Sequence, residues 1–376
     1  MENEKQNTDK LKKLFEIENE KLTFGNPYLT TVEIPDGIKE IGEEAFLDHF
    51  DHEAVRFPET LEVIGKRAFE GCDKLKEIIL PKNVKIIKRW AFKQCISLEI
   101  IELNDGLEKI EEVAFAETKI KSISIPDSVK ILENAAFESC KHLKKVVLSK
   151  NISTIPIRCF HHCKSLKSIE IPESVTTIEG RAFSLANLTS IKIPDSVTKL
   201  GYGALCGNVN LKSVFLSKNL KEIEHETFDS CRSLEHVEIP LGVKKIGNLA
   251  FVACENLKSI EIPSSVEIVE FRAFLECGSL EKVEIKDGVK ILDKESFLYC
   301  PKLSKVILPQ SLTEIRTKAF CDCECLEEIE FQGTKKQWGA IKKQSTWRDW
   351  TPLKVVHCSD GDVSIKEKIL LKNQKS

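Results

Sequence analysis

The stretch IPDSVKILENAAFESCKHL at residues 125–143 is repeated, with small changes, along most of the chain. Close variants are IPESVTTIEGRAF at 171–183, IPDSVTKLGYGAL at 193–205 and IPSSVEIVEFRAF at 262–274. A phenylalanine anchor recurs every 23 residues apart from two intervals of 22, and Leu205 takes its place once: Phe46, Phe69, Phe92, Phe115, Phe137, Phe160, Phe183, Phe228, Phe251, Phe274, Phe297 and Phe320. A repeat this regular predicts a solenoid of stacked coils.

Each repeat has the pattern of a short strand followed by turns. In SIEIP (259–263) aliphatic residues alternate with polar ones, which is the period of a strand with one buried face. Proline ends that strand, because it cannot donate a ladder hydrogen bond. A second apolar pair, such as Val175 and Ile178, precedes the anchor. One repeat cannot bury these inward residues alone, so the coils must stack on each other.

Two further columns of residues accompany the anchor. Leucine or isoleucine follows it by six residues, or by five in the two shortened coils, and only His52 breaks this series. Nine of the 14 cysteines follow it by three residues: Cys72, Cys95, Cys140, Cys163, Cys231, Cys254, Cys277, Cys300 and Cys323. We expect these cysteines to be small, buried and reduced.

The composition excludes several functional classes. Apolar residues make up 41% and charged residues 31%, with a net charge of −3. Because both signs are interspersed, we expect no binding to nucleic acid or to an anionic membrane. No stretch approaches the length of a membrane helix, and the N-terminus lacks the apolar core of a signal peptide. These features predict a cytoplasmic protein.

With its repeats aligned, the chain resembles the BspA-type leucine-rich repeat family. The family motif is found in LKSIEIPESVTTIEGRAF (166–183) and AFESC (136–140), and the resemblance extends over residues 29–331. It implies a right-handed leucine-rich-repeat solenoid, with a parallel β-sheet on one face, short helical turns elsewhere and a role in protein binding. Many members of the family are exported or surface proteins. The alternative that the resemblance implies is therefore a surface adhesin or structural component, exported by an unrecognised route.

The two ends of the repeat array should be capped, because an open solenoid exposes strand edges and core. Leu11, Leu14 and Phe15 have helical spacing, so we expect an N-terminal helical cap at 1–28. About 13 coils then fill 29–331. A C-terminal cap at 332–366 should contain a helix from about Thr334 and a hairpin at Asp360–Gly361, followed by a basic tail at 367–376. Three tryptophans in this segment are expected to cover the last coil: Trp338, Trp347 and Trp350.

No catalytic or cofactor motif is found. Phosphate-binding glycine loops and nucleophile elbows are absent from the sequence, so we expect no enzyme activity and no cofactor. One candidate metal site remains open: Cys321, Cys325, His357 and Cys358. Their spacing departs from that of common zinc sites, and Cys323 between them belongs to the buried column.

The outward positions of the strands are the candidate binding surface. The central outward residue of each strand is mostly polar, but four are apolar: Ile79, Val147, Phe215 and Ile307. With Lys192 and an acidic run of Glu238, Glu261 and Glu284, they form the predicted site for a protein partner of unknown identity. We expect the protein to be a monomer.

An internal duplication leaves a second interpretation open. Residues 116–183 and 184–251 resemble two copies of one three-coil unit, since SISIPDSV matches SIKIPDSV and VVLSKN matches VFLSKN. Residues 79, 147 and 215 are each 68 apart. Duplication alone would therefore reproduce an outward apolar residue without any role in binding.

Overall fold

A computed structural model describes residues 14–366, and the chain divides into two compact units, Met1–Asn187 and Leu188–Ser376. Each unit is a parallel β-solenoid. In most coils an outer strand is followed by a second strand of two residues and then by a turn that carries the anchor. The predicted solenoid fold is confirmed.

The first unit begins with a hairpin of β1 (Phe15–Glu18) and β2 (Lys21–Gly25). Its outer strands are β3 (Thr31–Glu33), β5 (Ala54–Arg56), β7 (Glu77–Ile79), β9 (Ile100–Glu102), β11 (Ser122–Ser124) and β13 (Lys145–Val147). Its second strands are β4 (Glu40–Ile41), β6 (Val63–Ile64), β8 (Ile86–Ile87), β10 (Lys109–Ile110), β12 (Ile131–Leu132), β14 (Thr154–Ile155) and β15 (Thr177–Ile178).

The second unit repeats this arrangement. Its outer strands are β16 (Ser190–Lys192), β18 (Ser213–Phe215), β21 (Ser259–Ile262), β23 (Lys282–Ile285), β25 (Lys305–Leu308) and β27 (Glu328–Phe331). Its second strands are β17 (Lys199–Leu200), β19 (Glu222–Ile223), β20 (Lys245–Ile246), β22 (Ile268–Val269), β24 (Ile291–Leu292) and β26 (Glu314–Ile315). The closing elements are α1 (Lys335–Ala340), β28 (Lys342–Lys343), β29 (Val355–Cys358) and β30 (Gly361–Ser364).

The register of the sheets follows the period of the sequence. Ile260 of β21 pairs with Val283 of β23, 23 residues later, and both are buried. Glu261 pairs with Glu284 in the same way but points outward. Because side chains alternate between the two faces of a strand, a shift of one residue would expose every inward aliphatic residue. The repeat length therefore fixes which residues face solvent.

The anchors form the centre of the core in each unit. All twelve phenylalanines and Leu205 are fully buried. Neighbouring rings from Phe46 to Phe183 stack with centroids 4.9–5.7 Å apart, and those from Phe228 to Phe320 stack at 5.0–5.3 Å. Near-parallel stacking follows because each anchor repeats the backbone position of the one before it.

Besides the ladders of the outer strands and of the second strands, backbone hydrogen bonds also join the anchor turns of neighbouring coils. The sequence did not predict these bonds. The residues two before and two after each anchor take left-handed φ angles, for example 59° at Trp90 and 58° at Gln94. Most of them are not glycine. In the same turn the N–H of Phe92 donates to the carbonyl of Ala114 at 2.8 Å. Backbone bonds between coils offset the cost of the left-handed conformation.

The predicted N-terminal helical cap is wrong where the structure describes it. Residues 15–25 form an antiparallel hairpin whose turn residues, Asn19 and Glu20, have φ angles of 49° and 62°. Turns of this kind match the twist of paired strands and favour asparagine. Strand β2 then pairs in parallel with β4, so the hairpin covers the first coil by extending its ladder. Leu11 lies outside the described residues.

The C-terminal helix and hairpin agree with the sequence prediction. Helix α1 starts after Thr334, whose side chain forms a capping box with Gln337. Strands β29 and β30 pair in antiparallel order around Asp360–Gly361. Trp338 and Trp347 are buried, whereas Trp350 is exposed, so two of the three tryptophans pack as expected. The predicted domain boundaries stay a prediction, and the tail at 367–376 lies outside the described residues.

Candidate functional site

We call the solvent-facing side of the outer strands the strand face. Most of its side chains are polar, and its interior side is filled by buried aliphatic residues. Three of the four predicted apolar residues are exposed there: Ile79 and Val147 in the first unit, and Phe215 in the second. Phe215 is the largest of them and is 67% exposed.

Ile307 does not belong to the exposed set, so this part of the prediction is wrong. Its exposed fraction is only 8%. It lies between Glu284 of β23 and Glu330 of β27 in a continuous ladder. Longer side chains on either side can cover a shorter one at such a position. Ile307 therefore offers no binding contact.

Two exposed apolar residues were missed. Ile100 lies at the other outward position of β9, opposite Glu77, and diagonally from Ile79. Leu241 is 81% exposed in the turn after Glu238, where the other repeats have charged or polar residues. Neither residue is at the central outward position of a strand, the position from which the site was predicted. A comparison of every outward and turn position would have found both.

In the second unit Phe215 has a charged residue on each side. Lys192 of β16 is its direct partner in the sheet. A single bridge joins Ser213 to His236, which places Glu238 at the next position of the same register. Because neighbouring strands lie about 4.8 Å apart, these three side chains are within reach of one ligand segment.

Two of the three glutamates of the acidic run, Glu261 and Glu284, are paired with lysines in the structure. Glu284 pairs with Lys282 at 2.7 Å and also with Lys286. Hydrogen bonds from these two lysines lower the pKa of Glu284 to about 2. Lys286 also lies 3.5 Å from Glu261. Within residues 14–366, Glu238 is the only one of the three glutamates without a basic partner.

Each unit has an open groove on this face. In the second unit a groove of about 390 Å³ is lined by His236, Glu238, Leu241, Glu261, Lys282 and Glu284. In the first unit a groove of about 500 Å³ lies beside Val147, Leu148, Glu170 and Pro172. Residues 168–170 form no strand there, so the outer ladder is interrupted beside this groove. The second groove is lined by an exposed leucine, Leu241, which the first groove lacks, and the charged residues of the two grooves also differ.

The cysteine column is buried in both units, as predicted, and it has a hydrogen-bonding role that the sequence did not indicate. The thiol of Cys72 donates to the carbonyl of Phe46 at 3.2 Å, and that of Cys254 donates to the carbonyl of Phe228 at 3.3 Å. All nine column cysteines make the equivalent bond to the preceding anchor. Burial raises the pKa of Cys72 to about 12 and that of Cys140 to about 11. These thiols are poor nucleophiles.

The candidate metal ligands are not brought together. Cys321 is buried, while Cys325 is exposed. The imidazole of His357 lies 2.9 Å from Asp362 and 3.0 Å from Glu328. In the described part of the chain, no group of three or more histidine, cysteine, aspartate or glutamate side chains is arranged to hold a metal ion. The same residues contain no helix with the length and apolar character of a membrane span.

Comparisons with known proteins agree with this architecture. A leucine-rich repeat protein from Bacteroides ovatus is 26% identical, with a TM-score of 0.68, and the match covers 89% of this chain and 97% of that one. A leucine-rich repeat protein from Eubacterium ventriosum shares the fold at 20% identity and a TM-score of 0.50, covering 89% of this chain and 87% of that one. No curated protein matches the sequence.

The repeat itself also matches a known family. The profile of the BspA type leucine rich repeat region, which spans six copies, matches residues 17–144, 132–258 and 221–340. These matches cover most of the chain. The protein belongs to the BspA-type leucine-rich repeat family.

Proposed function

We propose that this chain is a non-enzymatic interaction scaffold that binds a protein partner through its strand face. The observation that carries the proposal is the set of exposed apolar side chains on that face: Ile79, Ile100, Val147 and Phe215. The inward side of each strand is already filled, so these residues add nothing to the core. Exposed apolar groups on an otherwise polar surface favour a contact with another protein.

The chemistry of the described residues favours binding over catalysis. The sequence HHC at 161–163 places a thiol next to two imidazoles. Cys163 is fully buried, however, and its thiol donates to the carbonyl of Phe137 at 3.2 Å. Burial also raises the pKa of this thiol well above its usual value. A neutral, enclosed thiol cannot serve as a nucleophile at physiological pH.

The test compares two sets of exposed apolar residues. One variant carries Ile79→Ser, Ile100→Ser, Val147→Ser and Phe215→Ser on the strand face. The control carries Ile96→Ser, Ile131→Ser and Val209→Ser, whose residues are 42–50% exposed but lie elsewhere. We expect a partner captured from native lysate to be lost with the first variant and kept with the second. Loss with the control and retention with the strand-face variant would overturn the proposal.

The compartment and the oligomeric state stay predictions. Protease treatment of intact cells tests the predicted cytoplasmic location, because digestion of the chain would favour a surface component instead. Sedimentation velocity tests the predicted monomer. Neither result changes which face of the solenoid binds.

A further inference from the structure

Two large exposed apolar side chains of the second unit lie in neighbouring coils: Leu241 lines the groove, and Phe215 is in register with Glu238, which also lines it. Phe215 ends β18, and Leu241 lies in the turn of the following coil, three residues after Glu238. Both are exposed, and Leu241 lines the groove with Glu238 and Glu261. Exposed side chains of this size reduce solubility without stabilising the fold, so a partner that covers them is the simplest reason for their presence.

The internal duplication supports this interpretation. The residues of the first copy that correspond to Phe215 and Leu241 are Val147 and Glu173, each 68 positions earlier. Inheritance from a common unit accounts for an apolar residue at 215. It does not account for an aromatic ring there, nor for leucine in place of a charged residue at 241. Both changes add exposed apolar surface in neighbouring coils, one of them in the groove that Glu238 lines.

The charges around the groove select the partner. Lys282 and Lys286 neutralise Glu284 and part of the charge of Glu261. Glu238 lies in register next to Phe215 and has no basic partner among residues 14–366. A carboxylate beside an apolar surface favours a ligand that supplies a cation at that position, whereas Lys192 on the other side of Phe215 disfavours a cation there.

We propose that Phe215, Leu241 and Glu238 form a docking surface for an extended basic peptide segment of a partner protein. A large apolar side chain of that segment packs on Phe215 and Leu241, and a lysine or arginine one or two positions away pairs with Glu238. One strand spacing is about 4.8 Å, and one or two residues of an extended peptide span about 3–7 Å, so the two contacts are compatible. This inference rests on the proposed function of the strand face.

The probe is a random dodecapeptide library selected against the full chain. We expect enriched peptides to share a large apolar residue followed or preceded within two positions by lysine or arginine. A selected peptide is then synthesised with a fluorescent label, and its affinity is measured by anisotropy. Phe215→Ser should weaken binding about thirtyfold, since a central aromatic contact is typically a hot spot. Leu241→Ser should weaken it about tenfold.

Charge reversal tests the ion pair directly. Glu238→Lys should abolish binding of the basic peptide. The same variant should bind a peptide in which glutamate replaces the basic residue. Val209→Ser, at an exposed apolar residue of the same unit outside the strand face, should leave both affinities unchanged. Circular dichroism should show that every variant is folded, because each change is at an outward position.

Several outcomes would overturn the inference. These are no enrichment, enrichment of acidic peptides, or binding that survives Phe215→Ser. If the selected peptides depend on Ile79 and Ile100 instead, the strand-face function stands and this docking surface is wrong. If they depend on Val209, both proposals fail. Self-association in sedimentation velocity that is lost with Phe215→Ser would identify a second copy as the occupant and exclude the peptide.

Discussion

The two copies at residues 116–183 and 184–251 share most of their interior residues but differ on their outward surfaces. The interior differs at a few positions: Leu205 stands where the first copy has Phe137, and Asn208 where it has Cys140. In the first copy the hydroxyl of Ser149 donates to the carbonyl of Val129 at 2.7 Å. In the second, Ser217 donates to Val197 at 2.6 Å. The side-chain amides of Asn151 and Asn219 likewise donate to backbone carbonyls at 2.7 Å in both copies. These hydrogen bonds to the preceding coil were therefore retained after duplication.

Several outward positions also differ, although Glu170 of the first copy corresponds to Glu238 of the second. Ser124, Val147 and Glu173 of the first copy correspond to Lys192, Phe215 and Leu241 of the second. None of these three exchanges touches a buried position of the strand. The comparison teaches that packing restricts the interior, whereas the strand face is free to acquire a binding function.

The largest expected effect tests whether the interiors are equivalent. Phe160 and Phe228 are corresponding anchors, and both are fully buried. Each change to alanine should lower the free energy of unfolding by about 3–5 kcal/mol, because neighbouring coils cannot collapse into the space of a ring. Urea denaturation measures both. An unchanged midpoint for either variant would show that the anchors of the two copies do not have the same role.

A smaller effect is expected where the sequence departs from the repeat. His52 replaces leucine in its column, is fully buried and lies 3.2 Å from His49. Burial, together with the nearby His52, lowers the pKa of His49 to about 4, and burial also lowers the pKa of His52. The nearby carboxylates have the opposite effect: Asp48 raises the pKa of His49, and Asp51 raises that of His52. Asp51 also forms an ion pair with Lys74.

The pH dependence follows from these shifts. Between pH 6.5 and about 4 the histidines are protonated in the unfolded chain but neutral in the folded protein. The free energy of unfolding therefore falls as the pH falls. The loss for His49 is up to about 3 kcal/mol. His52→Leu should flatten this dependence in urea denaturation at pH 7 and pH 4.5. His142→Ala changes an exposed histidine and is the control, so it should leave the pH dependence as it is in the wild type. Equal pH slopes for wild type and His52→Leu would contradict this account.

A still smaller and equal effect is expected at the buried serines. Ser149→Ala and Ser217→Ala each remove one donor to a carbonyl of the preceding coil. Each should cost about 1–2 kcal/mol, since the carbonyl loses its partner inside the protein. Thermal denaturation of both variants measures the difference between the copies. Costs that differ by more than about 1 kcal/mol would show that the two networks are not equivalent.

The sequence predicted the features that depend on side-chain period. Burial of the anchors and of the cysteine column follows from spacing alone, as does the outward orientation of Phe215. The left-handed turns around Phe92 were not predictable, because the residues there are tryptophan and glutamine rather than glycine. Their conformation is held by bonds between coils, and no local pattern reveals these.

The site was predicted only in part for similar reasons. Strand alternation identified Val147 and Phe215 but could not show that Ile307 is covered by its neighbours. The net charge of Glu261 and Glu284 depends on the positions of Lys282 and Lys286, which are set by side-chain geometry. The N-terminal hairpin was mistaken for a helix because Leu11, Leu14 and Phe15 fit helical spacing.

The most direct test gives the second copy two outward residues of the first. Phe215→Val with Leu241→Glu introduces the side chains found at Val147 and Glu173. Fluorescence anisotropy with the selected basic peptide, alongside the urea midpoint, separates binding from folding. The account predicts at least about a thirtyfold loss of affinity with an unchanged midpoint. Unchanged affinity, or a midpoint that falls as far as that of Phe228→Ala, would contradict it.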